Sequence, residues 1–520
     1  MHFTTRVQAV CVGSLAILLY ANTWNHSYAL DDVATISANR FVQMGWKGIP
    51  EMFRHTLWFG YDGYESVNSY RPLAHATFAV EYALAGELRP DVSHIVNTLI
   101  YALVCVLLWH VLRRLFPAQG LMVFCAALLF TAHPVHTESI VNLKNRDELM
   151  ALLLGLLSLL MLFRWLSSSR WQWLSMALVY YGLALLCKES LIAWIFIFPL
   201  AGYYFLAESS LQQQGKKLLL LSLSFIAVFT LVWSWRAQIV AAVPPPPKPD
   251  YWNNPILLAN SWTTALGTKL YVLGKYLQLS IVPHTLTCSY FYNDLPLLPF
   301  WHWKSLLSLL TYAVLLYGLY RYLPPRHPLG FAIAFYLITL AMFSNFFMFY
   351  YYTAALSERF LLIPTIGVCL AGGYGLHQLA MQGYKLVRGL ITFLIIILSL
   401  KTIMRNRAWK DNLTIAQTDL QNSPQSYLLH STMALELFKK AQREANPFLL
   451  QQALPYFQKA VELDGEDPIT WEHYGRTLAL LGDYHQAAEC FRRALQINPA
   501  AGHVRLLLER AQQSSSKTKQ

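Results

Sequence analysis

Long apolar stretches, separated by short polar connections, occupy roughly the first four hundred residues of the chain. Each stretch approaches the roughly 20 residues that a helix needs to cross the hydrocarbon of a bilayer, and flanking Trp and Tyr extend the shorter ones. The pattern therefore predicts about eleven membrane-spanning helices. The stretches lie at 8–21, 95–112, 121–140, 149–163, 174–187, 191–206, 218–233, 306–323, 330–349, 360–376 and 389–404.

A different pattern begins at residue 434, where the chain repeats with the 34-residue period of tetratricopeptide units. The unit 468–501 carries the small and aromatic positions of that repeat: Trp471, Gly475, Gly482, Tyr484, Ala487, Phe491, Ala494 and Pro499. One period earlier the corresponding places hold Ala453, Phe457 and Ala460, and residues 409–424 fit a degenerate leading helix. We therefore expect an all-α protein, in which a polytopic membrane bundle is followed by a short solenoid that offers a concave face to peptides.

These patterns divide the chain into a transmembrane domain, a repeat domain and a short tail. The predicted bounds are 1–404 for the transmembrane domain, with outer loops 25–93 and 234–304, then 405–512 for the repeats and 513–520 for a disordered tail. Segment 262–282 is apolar but contains two lysines, which favours an interfacial or re-entrant helix over a span. The preceding run 244–248, PPPPK, predicts a stiff connector.

Composition supports a membrane protein and gives its orientation. Hydrophobic residues make up 55%, charged residues only 13%, and mean hydropathy is +0.35. Lys and Arg recur in alternate short loops, which marks those loops as cytoplasmic and puts the C-terminal domain on the outer side. The net charge of +12 is then mainly a topology signal, and no basic stripe with interleaved aromatics predicts a nucleic-acid partner.

Ionisable residues also occur at the outer ends of predicted spans, where topology does not require them. Charge at membrane depth is costly and is usually functional. The groups are Asp31 and Asp32; Lys144, Arg146, Asp147 and Glu148; Lys188 and Glu189; and Glu358 and Arg359. These residues could instead have structural roles: Asp31 could cap the next helix, and the pairs Lys188–Glu189 and Glu358–Arg359 could be internal ion pairs that fix helix packing. His133, His136 and Glu138 could bind a metal, but histidines beside a proline are more often structural, so a metal is not favoured.

Acids and cations on an outer membrane face suit transfer of a sugar from a polyprenyl phosphate. The leaving phosphate needs cations, whereas the attacking hydroxyl needs a base to take its proton. Several motifs in this chain also form a familiar series: ALDD at 29–32, SYRPL at 69–73, HIVN at 94–97, HPVHTES at 133–139, KES at 188–190, SERFLLIP at 357–364 and RNRAWKD at 405–411. In this order they resemble the transmembrane-and-tetratricopeptide family of O-mannosyltransferase-like proteins, which belongs to the GT-C glycosyltransferase superfamily.

The resemblance implies a glycosyltransferase that moves a hexose such as mannose from a polyprenyl-phosphate carrier to protein hydroxyls. It implies that Asp31 or Asp32 is the catalytic base. Family members usually have an Asp near LTCSYFYND at 286–294, where this chain has Cys288 and Ser289, with Asp294 later. We expect no cofactor beyond the lipid-linked donor. The expected site residues, in addition to the acids, are Arg146, Arg359 and Lys188 for the phosphate and Arg71, His94, His133, His136, Glu138 and Glu358 around the substrate.

Two other functions remain open at this stage. A non-catalytic membrane scaffold would recruit partners through its repeats without needing Asp31 or Asp32. A transporter for lipid-linked sugars would need polar residues at the bilayer midplane, whereas these charges crowd one face. For the transferase, the repeats would hold the acceptor polypeptide, and modest length favours a bacterial inner membrane with a periplasmic C-terminal domain over an endoplasmic-reticulum membrane with a lumenal one.

Overall fold

The structure is a computed structural model that describes residues 5–61, 69–206, 210–243, 254–291, 293–346, 354–383 and 386–518. Regular structure within these ranges is helical throughout. The helices before residue 410 are α1 (Thr5–Tyr20), α2 (Arg40–Gln43), α3 (Ile49–Arg54), α4 (Pro72–Ala85), α5 (Pro90–Leu115), α6 (Gly120–Ala132), α7 (Thr137–Val141), α8 (Arg146–Ser168), α9 (Trp171–Cys187), α10 (Trp194–Phe205), α11 (Leu211–Ala241), α12 (Trp262–Ile281), α13 (Trp303–Tyr322), α14 (Pro328–Ala341), α15 (Thr365–Met381) and α16 (Val387–Ala408). The later helices are α17 (Asn412–Asp419), α18 (Tyr427–Glu444), α19 (Pro447–Leu463), α20 (Pro468–Leu480), α21 (Tyr484–Ile497) and α22 (Gly502–Thr518).

Each apolar stretch in the sequence overlaps one of these helices. In the described residues, five helices are long and apolar enough to cross a membrane: Thr5–Thr23, Pro90–Leu115, Leu143–Ser168, Gln212–Ala241 and Val387–Ala408. A sixth would be the pair Gly120–Ala132 and Pro134–Val141, which is bent by 48°. The bend follows from His133, whose ψ of 118° leaves the helix, and from Pro134, which has no N–H to donate. A multi-pass membrane protein is supported, while the count of about eleven spans stays a prediction.

Segment 262–282 forms the single helix α12, which is not among the described helices that meet the spanning criterion. Its backbone passes close to the chain at Leu298 and Pro299, because Gly267 has no side chain to hold them apart. Ser305 Oγ donates to the carbonyl of Gly267 (2.8 Å) and ties α13 to the same place. The interfacial position of this helix stays a prediction, and the 244–248 connector lies outside the described residues.

The chain divides into two compact units, which we call the membrane unit and the repeat unit. The membrane unit runs to Lys410, apart from two short segments of which Thr285–Pro296 is the longer. The repeat unit contains those segments and the chain from Asp411 onward. Asp411 begins it because its carboxylate accepts the Thr414 N–H (2.8 Å) and caps α17. The segment Thr285–Pro296 therefore lies in the repeat unit, although the sequence assigned it to an outer loop of the transmembrane domain.

Within the repeat unit, α18 pairs with α19 and α20 with α21. The tetratricopeptide positions make these contacts: Ala453 and Phe457 are buried in one core, and Ala487, Phe491 and Ala494 in the next. Helix α17 occupies the predicted place of the leading helix. Helix α22 continues to Thr518, past residue 513 where a disordered tail was expected, and it buries Val504 and Ala511 in the second core.

The segment Thr285–Pro296 is held to the start of the repeats by hydrogen bonds. The Cys288 N–H donates to Asp419 Oδ2 (2.6 Å), and Asn422 donates to the Leu286 carbonyl (3.1 Å). Ser289 Oγ bonds both Asp294 Oδ2 (2.5 Å) and Ser426 Oγ (2.6 Å). Asp294 thus joins a polar network of the repeat unit.

Candidate functional site

The acidic pair Asp31–Asp32 lies in a tight turn after α1. Leu30 precedes the pair with a φ of 50°, a left-handed conformation that costs energy for a branched side chain. Asp32 is fully buried, and its carboxylate closes the turn by accepting the N–H groups of Ala29 (3.1 Å) and Lys144 (2.7 Å). The hydrogen bonds of the buried Asp32 carboxylate therefore hold the strained turn, and the Asp31 side chain takes no part in them.

Asp31 is the more accessible of the two acids. Its side chain is 37% exposed, and its Oδ2 accepts a hydrogen bond from Lys144 Nζ at 2.6 Å. A carboxylate that is partly open and held by one flexible ammonium can still receive a second partner. Asp31 is thus the acid of the pair that an incoming substrate could reach.

The two acids also differ in acidity. Burial raises the pKa of Asp32 to about 7, although backbone N–H donors, foremost those of Ala29 and Lys144, oppose that rise. Burial also disfavours ionisation of Asp31, but the cations of Lys144, Arg359 and Arg71 outweigh it and lower the pKa of Asp31. In the resting protein Asp31 is therefore ionised but weakly basic.

Arg71 and Lys188 lie in a buried cluster with three acids. Arg71 donates to both carboxylate oxygens of Glu189 (3.1 and 2.7 Å) and to Asp147 (2.6 Å). Lys188 Nζ lies 3.1 Å from Asp147 Oδ1 and 2.7 Å from Glu148 Oε2. Asp147 and Glu148 occupy the first turn of α8, where the helix dipole favours negative charge. Both cations are therefore already paired with protein carboxylates.

Arg359 lies in a 3-10 turn, Glu358–Leu361, that leads to α15. Its Nη1 donates to Glu138 Oε1 (2.7 Å), and its backbone N–H donates to Glu138 Oε2 (2.9 Å). Its side chain is 17% exposed, and its Nε and Nη2 groups make no hydrogen bond to any described residue. Arg359 thus retains donors that an anion could use.

Arg146 has a different environment from the one expected of a phosphate ligand. Its guanidinium is fully buried over the ring of Phe78 (4.0 Å) and donates to Asn97 (2.6 Å). Its remaining acceptors are Thr77 Oγ1 (3.0 Å), the Ser93 carbonyl (3.0 Å) and Glu81, with which it forms an ion pair. Arg146 ties α8 to α4 and α5, and this geometry favours a structural role.

The histidines and Glu358 are buried rather than grouped around one open space. His133 Nε2 bonds the Ser280 carbonyl (2.9 Å), whereas His136 bonds Tyr101 (3.0 Å) and Thr365 (2.7 Å). His94 lies edge-on to His26 at 5.7 Å between ring centroids, and Glu358 is fully buried. Glu138 is bound to Arg359, so the three candidate metal ligands, His133, His136 and Glu138, each bond to a different partner. No group of three or more potential ligands occurs among the described residues.

The structure brings Asp31 together with Lys144, a residue that the sequence interpretation did not assign to the site. Their separation of 113 positions left no local signal for the pair. Asn97 and Glu81 were also missed as partners of Arg146. Thr77 and Glu81 are four residues apart on α4 and so share one helix face, which could have indicated a common partner.

Comparisons with known proteins show which families the chain resembles. A family model described as dolichyl-phosphate-mannose-protein mannosyltransferase matches residues 71–235, and a tetratricopeptide-repeat model matches 468–501. Protein O-mannosyl-transferase TMTC3 of Mus musculus is 24% identical over 95% of this chain and 55% of its own length. Protein O-mannosyl-transferase TMTC4 of Homo sapiens is 24% identical over 84% of this chain and 64% of its own length. The resemblance to the transmembrane-and-tetratricopeptide family is confirmed.

The similarity to these relatives includes both units of this chain, but it covers only part of each relative's own length. Protein O-mannosyl-transferase Tmtc2 of Drosophila melanogaster is 31% identical over 58% of this chain and 32% of its own length. The chain spans about half the length of the curated relatives that match it over most of its residues. The mannosyltransferase model begins at Arg71, so it includes Lys144 and Lys188 but neither Asp31 nor Arg359.

Proposed function

We propose that the protein is an inverting GT-C glycosyltransferase that moves one hexose, mannose by preference, from a polyprenyl phosphate to a protein hydroxyl. The observation that carries the proposal is the partly exposed Asp31 carboxylate, which is paired with Lys144 and lies within electrostatic reach of Arg359. A carboxylate can take the hydroxyl proton, and the cations can stabilise the leaving phosphate. The printed names of the relatives support this reaction class.

In this proposal each site residue has a distinct task. Asp31 is the base, Arg359 binds the donor phosphate, and Asp32 fixes the turn that presents Asp31. Arg71, Lys188 and Arg146 hold the surrounding helices through buried ion pairs, in place of the direct phosphate contact expected for Lys188 and Arg146. Catalysis would occur on the outer face of the membrane, which is periplasmic in a bacterium or lumenal in the endoplasmic reticulum.

The repeat unit would hold the acceptor polypeptide. It contains a groove of about 320 Å³ whose lining includes the apolar and aromatic Phe438, Leu480 and Tyr484 and the cationic Arg476 and Arg510. Apolar walls with a few cations suit an extended peptide that carries an acidic residue. A peptide held there would raise the local concentration of acceptor hydroxyls.

Transfer of radiolabel from polyprenyl-phosphate sugars to membrane proteins tests the function. The purified protein in nanodiscs should label protein acceptors with mannose, and Asp31→Asn protein of equal monodispersity should not. Absence of transfer from every donor by well-folded wild-type protein would contradict the proposal. In that case a scaffold that uses only its repeats would explain the chain better.

A further inference from the structure

The Lys144–Asp31 pair occupies the candidate base before any substrate is present. Lys144 Nζ lies 2.6 Å from Asp31 Oδ2, and the lysine side chain is only 10% exposed. The Lys144 backbone N–H is bound by Asp32, so the start of this lysine is fixed while its side chain reaches across to the neighbouring acid. The ammonium leaves Oδ1 open to a hydroxyl but stabilises the charged carboxylate, so the paired Asp31 is a weaker base than a free one.

A phosphate that approaches this place would find Lys144 as well as Arg359. Arg359 keeps one side of its guanidinium on Glu138, and both cations act on Asp31 electrostatically. A polyprenyl-phosphate sugar is a phosphodiester: it carries one negative charge, as a carboxylate does, on two non-bridging oxygens that both accept charge-assisted hydrogen bonds, and it gains a second charge as the sugar leaves. It can therefore compete with Asp31 for the Lys144 ammonium.

We infer that Lys144 is a ligand for the donor phosphate, and that binding of the donor draws Lys144 away from Asp31 and so releases the base. This inference rests on the proposed function and makes the lipid-linked donor the first substrate to bind. If the acceptor arrives before the donor, Asp31 is still paired with Lys144. The acceptor hydroxyl then does not lose its proton to Asp31 while no sugar is available.

The transfer step then balances in atoms and charge. Asp31 takes the proton of the acceptor hydroxyl as its oxygen forms a bond to the anomeric carbon of the sugar. The bond from that carbon to the phosphate oxygen breaks, and its electron pair leaves with the polyprenyl phosphate. Lys144 and Arg359 hold the additional negative charge. When the product phosphate departs, Asp31 loses its proton to water and pairs with Lys144 again.

Binding of a fluorescent polyprenyl phosphate without sugar tests the inference apart from catalysis. Lys144→Gln should weaken binding about tenfold, because one charge-assisted contact is lost, whereas Lys144→Arg should largely retain it. Asp31→Asn should tighten binding about three- to tenfold, since its lysine partner is set free. The matched control is Lys47→Gln, which removes an exposed lysine from the segment between α2 and α3 and should change nothing.

A double substitution separates the pair from general electrostatics. In the Lys144→Gln background, Asp31→Asn should no longer tighten binding, because no lysine remains to be released. Equal tightening in both backgrounds would overturn the inference. So would unchanged binding by Lys144→Gln protein that is as monodisperse as wild type.

The pH profile of transfer gives a second reading. The groups that act on Asp31 are Lys144, Arg359, Arg71 and the neighbouring Asp32. The acid limb of kcat/KM for the donor reports the pKa of Asp31 in the free enzyme, and the acid limb of kcat reports this pKa in the complex that contains the donor. Because donor binding removes Lys144 from Asp31, the pKa rises and the kcat limb should lie at higher pH. Lys144→Gln should move the kcat/KM limb to higher pH as well. Wild-type transfer with coincident, unmoved limbs would refute the inference alone, whereas no wild-type transfer would refute the proposed function.

Discussion

At the scale of single residues, Asp31 and Asp32 have different environments, so their asparagine variants should differ. Asp31→Asn keeps the shape of the side chain but cannot accept a proton, and transfer should fall about 10²–10⁴-fold with folding retained. Asp32→Asn leaves one of two buried N–H donors without an acceptor, which costs about 1–3 kcal/mol. Its main defect should be a lower melting temperature in detergent. Equal transfer by Asp31→Asn and wild-type protein would rule out Asp31 as the base.

Arg146 and Arg359 give a second contrast between single residues. Arg146→Ala removes the partner of Glu81 from a fully buried site and should destabilise the protein by about 3–5 kcal/mol. Arg359→Ala removes a partly exposed cation and should raise the donor KM. Its melting temperature should fall less than that of Arg146→Ala, because Glu138 keeps the Ser357 hydroxyl and the backbone N–H of residue 359 as donors. Size-exclusion thermostability and donor titrations measure the two effects. A raised donor KM with unchanged stability for Arg146→Ala would restore the phosphate role expected from the sequence.

Sequence alone could predict where a charged site lies but not which partners its charges have. The acid pair follows the first apolar stretch, and Lys188 and Arg359 also flank apolar stretches, so their positions predict a charged site. Which acid is exposed depends on the Lys144 N–H, more than a hundred positions away. Nothing in the sequence around Arg146 shows whether it holds helices together or binds the donor phosphate, because a guanidinium can serve in either role.

At the scale of helices, Gly475 sets the closeness of α20 and α21. A Cβ at this position would lie 2.7 Å from Phe491 Cε1, and the Phe491 ring is buried. Gly475→Ala should cost about 1–3 kcal/mol from overpacking, against a gain in helix propensity of about 1 kcal/mol, which leaves a net loss of up to about 2 kcal/mol. Hydrogen exchange of α21 amides in the full chain should accelerate by up to about thirtyfold.

The control for that substitution is Gly502→Ala at the start of α22, where no described atom lies within 4 Å of the added carbon. Its exchange should match wild type or slow slightly. Unchanged exchange in Gly475→Ala would mean that the Phe491 ring moves aside without cost.

Helix positions were predictable because apolar length and the tetratricopeptide period are local signals. Each apolar stretch overlaps a helix, and the repeat positions fall in helices except Gly482 and Pro499, which lie in the turns after α20 and α21. Membership of Thr285–Pro296 in the repeat unit was not predictable, since it depends on hydrogen bonds to Asp419 and Ser426 far along the chain. Flanking apolar helices made this segment read as an ordinary loop.

At the scale of the whole molecule, the predicted count of eleven spans is odd and so predicts that the two termini lie on opposite sides of the membrane. Alkaline phosphatase fused after Gln520 should therefore be active in a bacterial host, and a cytoplasmic fluorescent reporter at the same place should be dark. Reversed results would mean that α12 crosses the membrane and that every later loop changes sides.

The membership of Thr285–Pro296 in the repeat unit has a consequence for synthesis of the chain. Cys288 and Ser289 leave the ribosome 131 and 137 residues before Asp419 and Ser426, their hydrogen-bond partners. At about 5–20 residues per second, this segment waits roughly 7–27 s, while helices α13 to α16 are made. Thr287, Ser289 and Asp294 can be solvated by water during that interval. A wholly apolar segment at this place would instead be exposed to aggregation, so its polarity suits late closure as well as the finished contact.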